Sequence, residues 1–224
     1  DAVQPMMAAL RDVWFKPYIQ ATGNSLDFLK EVAPKKIVLV GSPEYQNGSF
    51  KLGQAEGGRK ILLLNVNNFD ASNENELKEA LHTIVHEFTH ILHQTKLFNQ
   101  EYQTISTGRY NSNWTLLNDS EARHQGFITN YAMLNKDEDF AEMVSGILVF
   151  GYEWFKDTVL AEAAKSTENP HAKADLEAKL AIVNSYFKET WNIEFFDNET
   201  SGEPGLESYF RMAIEEVVSN PPTK

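Results

Sequence analysis

An α+β fold is predicted from three features of the chain. Two short apolar runs, Ile37–Val40 and Lys60–Val66, come early; turn-rich sequence separates them; and helical periods dominate from residue 74 onward. The expected arrangement is a small N-terminal mixed sheet, then one long helix, then a mostly helical C-terminal lobe. All 224 residues read as one unit, with an α/β lobe over about 1–95 and a helical lobe over about 96–224.

Residues 3–20 carry apolar positions near Val3, Met7, Leu10, Val13, Trp14 and Tyr18, a helical spacing. Ser25–Val32 reads as a short helix closed by Ala33-Pro34. Ile37–Val40 is a buried strand between Lys35-Lys36 and Gly41-Ser42-Pro43. The Gly-rich stretch Ser49–Gly58 predicts a hairpin leading into a second buried strand, Lys60–Val66. Asn67–Asn75 is a polar loop, and Glu74–Gln94 a long amphipathic helix. Asn99–Asn118 has no clear period and reads as loop. Helices are predicted at Ser120–Ala132, Asp137–Lys156, His171–Glu189 and Leu206–Val218, with turn residues over Trp191–Gly205.

Composition narrows the function classes. A net charge of −12 repels phosphate backbones and anionic membranes, so nucleic acid is not an expected partner. The absence of cysteine rules out disulfides, thiolate metal sites and cysteine nucleophiles, leaving His, Asp and Glu as metal ligands. No apolar run is long enough to span a bilayer. Asp1 in place of an initiator Met suggests a mature or trimmed chain.

Chemistry concentrates at His86-Glu87-Phe88-Thr89-His90, an H-E-x-x-H motif on the long helix. Residues four apart on a helix lie about 40° apart around the axis, so both imidazoles can meet one cation. Leu77, Leu81, Ile84, Val85, Phe88, Ile91 and Leu92 share one arc, while His82, His86, His90 and His93 share the other. Glu87 lies to one side of the histidine pair, placed to reach water rather than metal. A catalytic zinc needs a third protein ligand and an open position. The residues after His90 lack the Gly and His that a metzincin places there. His93 and His82 read as neighbours of the site or as plain surface. Glu142, about fifty residues on and with Gly146 one turn beyond it on the same face, is the better candidate for third ligand, the alternative being one of many solvent-facing acids in an acidic chain.

Three segments, HEFTHILHQ at 86–94, GFITNYA at 126–132 and EDFAEMVSG at 138–146, resemble a family of zinc metallopeptidase lipoproteins. Members of that family occur beside starch-utilisation-type glycan import systems of Bacteroidetes. FLKEVAPKKIVLVGS at 28–42 resembles the front of the same family, so the likeness runs roughly from residue 5 to residue 155. A more distant likeness links the motif spacing to anthrax lethal-factor-like peptidases. The resemblance implies a zincin-like, specifically gluzincin, fold; a Zn2+ ion; Glu142 as third ligand; and an exported outer-membrane lipoprotein anchored upstream of Asp1. It also shows one departure: Gly146 stands four residues after Glu142, where many gluzincins carry an Asp that orients a ligating histidine. Asp139 or Glu138 is the expected substitute.

The implied reaction is metal-assisted peptide hydrolysis, with Glu87 as general base. The likeness to lethal-factor-like peptidases, which place a Tyr shortly before the third ligand, makes Tyr131 the candidate oxyanion donor, a packed or surface Tyr being the other reading; Tyr110 and His124 are weaker alternatives. Ser49–Gln54 or Lys60–Val66 would offer an edge strand to an extended peptide or protein substrate, and Asn99–Trp114 a roof. Two rival readings stay open: a zincin-fold binding component of an outer-membrane import complex with little turnover, and a zinc hydrolase of non-peptide amides or esters.

Overall fold

The computed structural model describes residues 3–42, 44–46, 49–51, 53–56 and 60–222. The N-terminal helix runs over Val3–Ala9, a π-type stretch Leu10–Phe15 and Lys16–Ala21, followed by a short helix Asp27–Val32. Five strands come next: β1 Lys36–Leu39, β2 Glu44–Gln46, β3 Ser49–Lys51, β4 Gly53–Glu56 and β5 Lys60–Leu63. β2 and β3 pair antiparallel as a ribbon of their own. The other three form a mixed sheet of order β1-β5-β4, with β1 parallel and β4 antiparallel to β5. β5 therefore lies in the middle; of the two edge candidates read from the sequence, Gly53–Gln54 sits on an edge of this sheet, and Ser49–Lys51 belongs to the separate ribbon. Residues 52 and 57–58 of the expected hairpin lie outside the described residues.

The motif helix Glu74–Thr95 begins where Asn73 accepts the backbone N–H groups of Asn75 and Glu76, supplying partners that the first turn lacks. Its apolar arc goes inward, as the phase predicts. Phe88 meets Trp14 at 5.3 Å and Tyr18 at 5.2 Å between ring centroids, and Tyr18 meets Phe210 at 5.6 Å. This aromatic cluster ties the motif helix to the N-terminal helix and to the terminal helix Leu206–Ser219. β4 and β5 pack against the same motif helix.

The second long helix, Lys136–Phe150, crosses beside the motif helix and is buried from Asp139 to Val149. Asn135 caps it by accepting from Asp137 and Glu138, which fixes Glu138 in the first turn. The expected helix Asp137–Lys156 breaks at Gly151, whose φ of 92° a side chain would strain. Helix resumes over Tyr152–Trp154, a π-type stretch Phe155–Leu160 and Ala161–Ala163. The expected helix Ser120–Ala132 is shorter too. It spans Asp119–His124 and stops at a turn through Gly126, with Tyr131–Met133 forming a separate 3-10 turn. Segment 99–118, read as loop, holds a short helix Glu101–Ile105 and a 3-10 turn Trp114–Leu116. Helix Ala172–Ser185 completes the lobe, running on as a π-type stretch Tyr186–Thr190. Among the described residues no helix is long and apolar enough to cross a membrane.

Candidate metal centre

His86 and His90 project from successive turns of the motif helix, and their Nε2 atoms lie 3.1 Å apart. Glu138 reaches in from the first turn of the facing helix. Its Oε2 stands 2.9 Å from His86 Nε2 and 3.1 Å from His90 Nε2. Among the described residues these three side chains form the one cluster of His, Cys, Asp or Glu whose donor atoms converge as a metal site would require.

Glu142 occupies a different place from the one expected of it. Its Oε1 lies 2.8 Å from His86 Nδ1, the ring nitrogen that faces away from the cluster, though off the line of a well-aligned hydrogen bond. Its other oxygen accepts Thr129 Oγ1 at 2.7 Å. The carboxylate among the three converging atoms is Glu138, one turn earlier. Glu142 follows Glu138 by four residues, the spacing at which the resemblance places an orienting acid after a ligand. Gly146 is small for a packing reason. A Cβ there would meet Ile128 Cδ1 at 3.0 Å and the Trp154 ring at 3.4 Å. Asp139 has no part in orienting the histidines. It points the other way, pairing with Lys179 Nζ at 2.7 Å in a fully buried contact and accepting Tyr110 Oη at 3.1 Å.

Electrostatics fit a cation at the cluster. Burial works to lower the His86 pKa, but Glu138 and Glu142, with Glu87 behind them, overcome it and hold the imidazole at about 10. Burial raises the two glutamates, and the neighbouring histidines more than reverse this: Glu138 is held well below the usual carboxylate range and Glu142 at about 2. Ionised carboxylates therefore surround two imidazole rings whose Nε2 atoms face a common spot. Three donors on a tetrahedral zinc stand roughly 3.3 Å apart, given bonds near 2.0–2.1 Å. The triangle of 2.9, 3.1 and 3.1 Å is that size to within a few tenths of an ångström. Two nitrogens and one oxygen also match zinc's preferences in a site lacking thiolate.

The remaining expected residues divide. Tyr131 stands at the cluster: its ring centroid is 5.7 Å from that of His86, and burial and then the charge of Glu138 push its pKa up. Glu87 is partly buried, and its charge acts on both His86 and Tyr131. Tyr110 is taken up by Asp139, and His124 pairs with Glu162 at 3.1 Å, so neither alternative donor belongs to the cluster. His93 and His82 are not plain surface. His93 is buried, with Nε2 2.9 Å from His90 Nδ1. His82 Nε2 lies 3.1 Å from Ser145 Oγ and 3.7 Å from Glu142 Oε1. In the expected roof, Trp114 packs edge-on against Tyr131 at 4.9 Å.

The family model described as "Putative zinc-binding metallo-peptidase" matches residues 1–196. The chain belongs to this family. A crystal structure of a protein from Bacteroides caccae, described in the same words, has 30% identity and a TM-score of 0.74, covering 96% of this chain and 77% of that one. No curated protein matches the chain.

For a member of this zinc-binding family, the converging trio has the chemistry its description requires. Among the residues that sequence reasoning missed, Asn135 caps the helix that carries Glu138, Thr129 donates to Glu142, Ser145 lies beside His82, and Lys179 pairs with Asp139 away from the trio. One signal was present. Asn135-Lys136-Asp137-Glu138 is an Asn followed three residues later by Glu, a helix-start signature that places Glu138 in a first turn.

Proposed function

We propose that this chain is a zinc-dependent peptidase of the gluzincin type, its ion held by His86, His90 and Glu138. The observation that carries the proposal is the convergence of His86 Nε2, His90 Nε2 and Glu138 Oε2 at 2.9–3.1 Å. Zinc, when bound there, supplies Lewis-acid polarisation of a carbonyl and acidifies a water. Glu87, next to the first histidine in sequence and partly buried, accepts the proton of the attacking water and passes it to the leaving amine. Tyr131 serves as the oxyanion donor. Burial and then Glu138 push its pKa far above its ordinary 10, so the hydroxyl keeps its proton. Glu142 orients His86 through Nδ1.

Peptide is favoured over other amides by the sheet. β4 is an edge strand packed beside the motif helix, where an extended chain can add as a further strand. The family's likeness to exported lipoproteins makes proteins at the outer membrane, or an import complex there, the proposed setting. Proteome-wide cleavage-site profiling with wild type and Glu87→Gln tests the function. The variant should keep its zinc and lose about 10²–10⁴-fold in turnover, the usual contribution of a general base. Equal cleavage by both proteins would remove Glu87 from that role, and no cleavage by either would favour a binding component.

A further inference from the structure

The two histidines of the cluster are held from behind by unlike partners. His86 presents Nδ1 to the carboxylate of Glu142, while His90 presents Nδ1 to another imidazole, Nε2 of His93, at 2.9 Å. His93 follows His90 by three residues, so it sits one turn further along the same helix. Its side chain is closed in. It packs edge-on against Phe98 at 5.5 Å and Phe140 at 6.3 Å between ring centroids, and only 4% of the residue is exposed.

Between two imidazole nitrogens this close, one proton has to sit. If His93 Nε2 carried it, His90 Nδ1 would accept, and in a neutral His90 the proton would lie on Nε2, pointing into the cluster. If His90 Nδ1 carries it, the Nε2 lone pair is bare and faces His86 Nε2 and Glu138 Oε2 at 3.1 Å. Only the second arrangement offers His90 as a ligand. We infer that His93 is a positioning residue: it accepts the Nδ1–H of His90 and thereby fixes the metal-competent tautomer and the ring's direction. The inference rests on the metal-site reading but not on peptide cleavage. Acceptors behind a ligating histidine are commonly a carboxylate, a backbone carbonyl or water. A neutral imidazole in that place gives the site one charged and one uncharged support.

The test uses zinc alone as probe, on the full chain, with His93→Phe and His93→Gln. Phe keeps an aromatic ring between Phe98 and Phe140 but accepts no hydrogen bond, whereas Gln can place its carbonyl oxygen near the position of Nε2. Zinc affinity by chelator competition should fall about 10–100-fold in His93→Phe and recover most of that loss in His93→Gln. In ¹⁵N-labelled zinc-loaded wild type, His90 should be protonated at Nδ1 and His93 bare at Nε2, with a scalar coupling across the N–H···N bond. An unchanged affinity in His93→Phe, an equal loss in both variants, or a proton on His93 Nε2 in the zinc-loaded protein would each overturn the inference. Wild type that binds zinc but cleaves nothing would leave it standing and sink only the peptidase reading. Wild type that binds no zinc would sink both.

Discussion

Zinc and a proton compete for His86, and the structure sets the strength of that competition. The imidazole holds its proton up to about pH 10 because Glu138, Glu142 and Glu87 outweigh the opposing effect of burial. At pH 7 the metal-free protein therefore carries imidazolium at this position, while a metal ligand must present a lone pair. Binding has to displace about one proton, and the interval between pH 7 and about 10 lowers apparent affinity by about three decades, or about 4 kcal/mol. The sign follows from the raised pKa: lowering pH strengthens the competitor, so affinity climbs with pH and levels off only toward pH 10. Between pH 7 and 9 the apparent association constant should rise about tenfold per unit. Isothermal titration calorimetry in buffers of different ionisation enthalpy counts the released proton, and chelator competition at several pH values measures the slope. Glu142→Gln supplies the internal control. Losing one carboxylate lowers the His86 pKa, so the slope should flatten at a lower pH even as the ring loses its support. Zinc affinity independent of pH from 7 to 9, with no proton released, would refute this electrostatic picture of the site.

Two further outcomes concern the scaffold. Lys179→Met leaves the Asp139 carboxylate buried without its cation, and removing one partner of such a pair costs about 3–5 kcal/mol, measurable by urea unfolding; a change below about 1 kcal/mol would mean that water or a rearranged Tyr110 replaces the lysine. At Gly146, Val should cost about 1–3 kcal/mol by crowding Ile128 and Trp154. Ala should cost far less, because its better helix propensity, about 1 kcal/mol over Gly, offsets a small shift of the Ile128 methyl; equal melting temperatures for the two variants would contradict the packing.

The motif helix was legible because two codes coincide on it. An apolar arc from Leu77 to Leu92 sets its phase, and the H-E-x-x-H spacing falls on the opposite arc. His86, Glu87 and His90 follow from that phase alone. The facing helix was harder. It is buried nearly all round from Asp139 to Val149, so no polar face shows which acid looks at the histidines. Glu138 and Glu142 are four apart and share a face, and their roles separate only once the crossing of the two helices is known. The break at Gly151 and the turn at Gly126 were hidden for another reason. A lone glycine within helical sequence reads as tolerated, and it takes the observed φ of 92° and 87° to show chain reversal. Lys179 could not be placed at all, since a lysine inside a helix reads as surface until its buried partner is seen.

The assignment of Glu138 as ligand and Glu142 as support for His86 is tested most directly by a crystal structure of the zinc-loaded protein with anomalous scattering at the zinc edge. The geometry predicts one ion with His86 Nε2, His90 Nε2 and a Glu138 oxygen within about 2.0–2.2 Å, and Glu142 still at His86 Nδ1. A Glu142 oxygen on the ion, with Glu138 outside its coordination sphere, would contradict it.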